Sequence, residues 1–219
     1  MSSPPKSQLP KPSRPSMRRL VNFYDPAVKG ADAYGRTLDE ILGWSDAELE
    51  HQHDYIQTVF PLPEPSGLGH TAPVVDEETM LIFRASAALQ ANLVRALKRM
   101  LAFYGFDVED RVRDPGGWGR GRRPGDFELD ITPKDDRRAG FSRWAQPAGH
   151  NHLRITRIIR SLRVLGLQGV AVDFYGALAE VQAAWAAVSL TTREYWGWAM
   201  EVSLCLAPDG TEIRWLRNY

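Results

Sequence analysis

The stretch His53-Asp54-Tyr55-Ile56-Gln57 sets an imidazole, a carboxylate, a phenol and a carboxamide within five residues, then runs into Pro61, Pro63 and Pro65. Imidazole and carboxylate are the groups that exchange protons near neutral pH, so His53 and Asp54 could form an acid–base pair. The same side chains could instead brace the proline segment, because a helix end beside an ordered turn leaves backbone groups that need partners. A second cluster is His150-Asn151-His152, followed by Arg154 and Arg157. Asn151 suits an N-cap. His51 and His53, like His150 and His152, are two apart, and on a helix such pairs point in different directions. The H-x-x-x-H spacing that puts two zinc ligands on one face is missing, and no metal is expected. The arginines at 154, 157, 160 and 163 could bind phosphate or an acidic partner, or form an ordinary solvated face. Trp185, Trp196 and Trp198 in the last third suit a core or the lining of an apolar pocket for a small molecule. No nucleophile elbow, P-loop or dinucleotide fingerprint occurs, so no cofactor is expected.

Helices must position these groups. Ser45 and Glu48 have the spacing of a capping box, which opens a helix expected to run to about Phe60, where the prolines stop it. A further helical stretch begins near Asp76 and shows an apolar stripe, Leu89, Leu93, Leu97 and Leu101, closed by Gly105. Residues 107–149, rich in glycine, arginine and charge, read as a long flexible insertion. Residues 151–167 form the clearest helix, with Ile155, Ile158, Ile159, Leu162 and Leu165 on one side, the arginines spread over the other, and Gly166 ending it. An alanine-rich helix follows. Thr191 and Glu194 repeat the capping-box spacing. Asp209-Gly210 turns either a hairpin or, the favoured reading, two helices.

Residues 1–19 hold five prolines, five Lys/Arg and no acid, a composition expected to stay disordered. The remainder, 20–219, reads as a single, mostly α-helical domain. Lys+Arg and Asp+Glu both number 27, which disfavours nucleic acid and membrane surfaces as partners. A lone cysteine, Cys205, fits a reducing compartment. No apolar run reaches the roughly 18 residues of a membrane span.

"HDYIQ" followed by "FPLPEP", "FYG" closing a long helix, and "NHLRITRIIRSLRVLGL", in that order, resemble the conserved region of the opioid growth factor receptor family, as does the later "YWGWAM". The resemblance covers roughly residues 20–219 apart from the insertion. It implies a helical domain, intracellular (cytoplasmic, perinuclear or nuclear), in a family whose vertebrate members are described as receptors for an enkephalin peptide. The expected role is a non-catalytic binding module for a peptide or acidic partner, with His53, Asp54, Tyr55, Gln57, His150, Asn151, Arg154 and Arg157 as its binding residues. The alternatives are a cofactor-independent cyclase or isomerase using His53 and Asp54 beside a tryptophan-lined pocket, and a nucleic-acid contact through Arg154–Arg163. Polar residues on apolar helices are costly unless paired, so the two strings are expected to pack together, bringing Asp54 or Tyr55 against Arg154 or Arg157.

Overall fold

The computed structural model describes residues 15–65, 72–111, 123–134, 140–185 and 188–219, with the side chains of 15–18 left aside. Nine helices and one hairpin are present among them: α1 Pro15–Tyr24, α2 Leu38–Leu42, α3 Asp46–His51, α4 Tyr55–Val59, α5 Glu77–Ala85, α6 Ala87–Tyr104, β1 Phe106–Asp110, β2 Leu129–Pro133, α7 His150–Val164, α8 Gln168–Trp185 and α9 Leu190–Glu201. The mostly helical class holds.

Local chemistry accounts for most of the boundaries. Thr37 and Glu40 form a reciprocal capping box on α2, and Ser45 and Glu48 form one on α3. The Leu89-Leu93-Leu97-Leu101 stripe of α6 is buried throughout. Gly105 ends that helix at φ 94°, a left-handed position that favours glycine. Ser86 caps α6 through a bond to the Leu89 amide, dividing the helical stretch that begins near Asp76 into α5 and α6. α7 packs on α8 and α9, α8 also covers β2, and α1 lies against α5 and α6.

Four expectations are corrected. The helix from Ser45 does not reach Phe60. It stops at His51, Gln52 turns extended at ψ 133°, and a new turn starts at Tyr55, so His53 and Asp54 sit in a break. Residues 107–149 are not a structureless insertion. β1 and β2 pair antiparallel, Phe106 opposite Pro133 and Asp110 opposite Leu129. Phe127, Leu129, Phe141 and Trp144 join the core, and burying these side chains offsets chain entropy that the average composition of the segment hides. Residues 112–122 and 135–139 of that segment lie outside the described residues.

At the N-terminus, α1 begins before residue 20, and Leu20, Val21, Phe23 and Tyr24 are buried on it; residues 1–14 of the expected tail lie outside the described residues. At the C-terminus, Asp209-Gly210 makes a tight turn with Gly210 at φ 86°, bridging Leu206 to Glu212, and a 3-10 turn over Arg214–Asn218 follows. That is a short hairpin-like turn followed by a helical turn, not two helices.

Candidate functional site

Helix α7 carries an arginine every third residue, a spacing that walks slowly around a 3.6-residue helix. These arginines do not form a solvated face. Arg154, Arg160 and Arg163 are 5%, 1% and 9% exposed. Arg154, Arg157 and Arg163 reach backbone carbonyls at helix ends, where helix geometry leaves C=O groups without partners and concentrates negative potential, and Arg160 reaches carbonyls of the turn after α9. Arg154 donates to Leu49 O (2.9 Å) and Gln52 O (2.7 Å) at the end of α3. Arg157 donates to Phe60 O (2.7 Å) after α4. Arg160 donates to Leu206 O (3.0 Å) and Leu204 O (3.1 Å) and holds Glu64 with two bonds of 2.6 and 3.1 Å. Arg163 donates to Ala199 O (2.7 Å) and Val202 O (3.0 Å) at the end of α9.

The ladder explains the local folding around it. Arg154 takes the carbonyls that a longer α3 would use, so the helix stops at His51. Ser161 donates to Pro61 O (2.9 Å), and Pro61, Leu62 and Pro63 are buried. The first residues of the proline segment are thus anchored by Arg157, Arg160 and Ser161 of α7. Burial lowers the Arg157 guanidinium to about 10 and also lowers Arg163, yet both keep their charge at neutral pH.

At the N-terminal end of α7 the ladder opens to solvent. Arg154 donates to His53 Nδ1 (3.1 Å); arginine has no acceptor, so in the neutral ring the proton lies on Nε2. The His53 and His150 rings meet edge to face, 5.3 Å between centroids. His150 Nε2 lies 3.1 Å from Glu50 Oε1, and the buried Asn151 amide donates to Glu50 Oε2 (3.1 Å) and Arg143 O (3.1 Å). Burial, then the charge of Arg154, holds the His150 ring below its ordinary 6.5, with Glu50 opposing.

The two expected clusters therefore meet, but not with the expected roles. Asn151 is not the N-cap; Gly149 is, and Asn151 sits inside the helix as a bridge. Asp54 does not pair with Arg154. It pairs with Arg36 at 3.0 Å, which also holds Asp32. Tyr55 does reach Arg154, through its ring, 5.5 Å from the guanidinium carbon; burial raises its phenol to about 12. Oriented so that both ends are satisfied, the Gln57 amide donates to Asp54 O and His53 O and braces the break.

His152 is buried, bonding Trp144 O (2.7 Å) and Thr192 Oγ1 (3.2 Å). His51 is exposed, its Nδ1 2.7 Å from Ala47 O. Among the described residues, no group of three or more His, Cys, Asp or Glu side chains is placed to hold a metal.

The three tryptophans do not line one pocket. Trp196 is buried and donates to His152 O, Trp185 packs on Phe141, and Trp198 is half exposed beside Tyr195. α9 is capped by Ser189 through the Thr192 amide, so the Thr191–Glu194 spacing was a coincidence of composition. Sequence reasoning missed Glu50, Arg36 and Glu64 as partners. Glu64 had a signal, as the sole acid in "FPLPEP". Glu50 and Arg36 had none, since an acid in a short helix and a basic residue in a loop are both commonplace.

Residues 17–121 match the family model described as the opioid growth factor receptor (OGFr) conserved region. The opioid growth factor receptor of Rattus norvegicus is 39% identical over 137 residues, covering 61% of this chain and 21% of that protein. The Homo sapiens protein of the same name is 38% identical over 137 residues, 61% of this chain and 18% of that protein. Opioid growth factor receptor-like protein 1 of Xenopus tropicalis is 31% identical over 137 residues, 61% of this chain and 23% of that protein. The chain thus spans 18–23% of the length of these relatives. No solved structure shows a significant match.

Proposed function

The chain carries, over residues 17–121, the conserved region of the opioid growth factor receptor family, and from that premise we propose that it is a non-catalytic helical binding module. Its partner on this reading is a peptide or a protein, taken on the face where Glu50, His53 and His150 emerge. One observation carries the reading. The exposed polar edge is held from beneath by side chains whose hydrogen bonds are already made: Arg154 on Leu49 O, Gln52 O, His53 Nδ1 and Asn151 Oδ1, and Asn151 on Glu50 and Arg143. A surface locked by its own second layer of bonds is preorganised, which lowers the ordering cost of association. It offers a partner an Nε2–H on His53 and the Glu50 carboxylate. Relatives named as growth factor receptors support a peptide or protein partner.

Three observations weigh against the alternatives. His53 and Asp54 turn to different arginines, Arg154 and Arg36, so they do not form one acid–base pair. Neither the pocket lined by Tyr175 and Trp196 nor the one lined by Phe23 and Arg95 includes His53 or Asp54. The guanidinium groups that would grip phosphate or an acidic chain are bonded to carbonyls, which disfavours nucleic acid. An intracellular setting, cytoplasmic or nuclear, belongs to this proposal. Among the described residues no helix is long and apolar enough to cross a membrane.

The test is selection of binders from a peptide display library, followed by calorimetry on the selected peptide with the parent chain, His53→Ala and Glu50→Gln. Hydrogen bonds that involve a charged group suggest a loss of about tenfold or more in affinity for each variant, with the circular dichroism of the parent retained. Peptides that bind both variants as tightly as the parent would place the site elsewhere. Selection that yields no saturable binder would count against the binding role itself.

A further inference from the structure

Helices α8 and α9 form an antiparallel pair, and between them lies a pocket of about 250 Å³ lined by Tyr175, Leu178, Ala179, Gln182, Ala183, Arg193 and Trp196. All of it lies beyond residue 121, outside the region that matches the family model. The spacing Tyr175, Leu178/Ala179, Gln182 repeats one face of α8. Across from it, Arg193 and Trp196 are one turn apart on α9. The Tyr175 hydroxyl lies near Gly197, 3.6 Å from where a Cβ would stand, and Gln182 bonds the Val188 amide at the other end.

We propose that this pocket binds a small carboxylate with an apolar body. Two of its lining side chains, Gln182 and Arg193, leave nitrogen donors open. Gln182 is 9% exposed; its Oε1 accepts from Val188 N (3.3 Å), while its buried Nε2 has no partner. A buried amide with two free N–H groups is a costly omission in a folded protein unless something fills it. The Arg193 guanidinium makes no hydrogen bond or ion pair among the described residues. Trp196 has already given its N–H to His152 O, so its indole offers only an apolar face.

A ligand that matches two nitrogen donors on the wall of an apolar slot has a carboxylate there, since charge-assisted bonds to a carboxylate are the strong ones. The head group belongs between Gln182 and Arg193, both of which line the pocket. Burial, and after it the nearby Glu201, raises the Tyr175 phenol, so negative charge is disfavoured at the Tyr175 end. The apolar body then lies along Leu178, Ala179, Ala183 and the Trp196 ring. The volume is slightly under the roughly 300–1,000 Å³ usual for drug-sized ligands, which restricts the class to small acids such as a single ring on a short chain.

The experiment is isothermal titration calorimetry of the whole chain with hydrocinnamate, an aryl carboxylate, and with hydrocinnamamide, its neutral amide. The expected result is saturable one-to-one binding of the acid, with the amide about tenfold weaker. Arg193→Gln, an exposed change that removes no described contact, is expected to weaken the acid about tenfold and leave the amide unaffected. Gln182→Leu is expected to weaken both ligands, and its unliganded melting temperature balances the acceptor lost by the Val188 amide against removal of the unpartnered Nε2. Absence of saturable binding, equal affinity for acid and amide, or an acid affinity untouched by Arg193→Gln would each overturn the proposal. Those failures leave the Glu50–His53–His150 face untested, since no residue is shared.

Discussion

At the scale of single residues, the energetics of α7 turn on what each guanidinium leaves behind when it is removed. Taking away Arg160 strands the Glu64 carboxylate, whose side chain is 11% exposed, together with the Leu204 and Leu206 carbonyls. Breaking a buried pair from one side costs about 3–5 kcal/mol. Urea unfolding of Arg160→Ala is therefore expected to show a loss of that size, and a cycle with Glu64→Gln to give strong coupling. Asp54 stands in contrast. Its side chain is 40% exposed and its partner is Arg36, so Asp54→Ala is expected to cost under about 1 kcal/mol and to add to Arg154→Ala without coupling. A large coupling between Asp54 and Arg154 would mean that they touch after all.

His150 supplies a pH dependence. Its folded ring is harder to protonate than the unfolded one, so the unfolded chain binds more protons in that range. Its contribution is present above the ordinary value of 6.5 and is lost as pH falls through 6.5 toward the lowered folded value. Melting temperatures taken between about pH 7 and pH 5 should fall less steeply for His150→Asn than for the parent.

At the scale of elements, the end of α6 and the 3-10 turn over Phe141–Arg143 are held in backbone contact. A Cβ on Gly140 would stand 2.2 Å from the Gly105 Cα and amide nitrogen, a distance no side-chain adjustment relieves. Trp144 Nε1 bonds Tyr104 O (3.0 Å), and Trp144 is wholly buried, so the close approach seats an indole in the core and caps α6 at once. Gly140→Ala is expected to destabilise by about 1–3 kcal/mol or more through overpacking. Gly35 is the control. It has φ 82° and nothing within 4 Å of a Cβ, so Gly35→Ala should show only the cost of the left-handed backbone, about 1–2 kcal/mol. Thermal unfolding of the pair decides; equal losses would mean that the Gly140 contact yields easily.

At the scale of the whole molecule, a single buried cluster runs from Leu20 in α1 to Leu216 near the C-terminus. It includes the hairpin residues Phe106 and Leu129, so the strands share the core of the helices. Elements that share one core unfold together. Far-ultraviolet circular dichroism and tryptophan fluorescence are expected to give superimposable urea transitions. Most of the described tryptophans belong to the C-terminal half, so an earlier fluorescence transition would show α8 and α9 opening as a separate unit.

Short-range chemistry was legible in the sequence because its causes lie within a few residues: the Ser45–Glu48 box, the leucine stripe of α6 and the stop at Gly105. The sequence also brought His53, His150, Asn151 and Arg154 forward as a group before anything placed them together. What it could not decide was the direction of the arginines. A run of Arg at every third residue reads as solvated when the only visible competitor is water. Here the competitors are carbonyl oxygens at Leu49, Phe60, Ala199 and Leu204, which lie 36 to 105 residues away in the chain. The same long-range contacts ended α3 at His51, sent Asp54 to Arg36, and drew Trp144 out of a glycine-rich segment into the core. The physical reason is common to all of them: a buried polar group takes whichever partner the packed chain brings within 3 Å, and sequence distance carries no information about that choice.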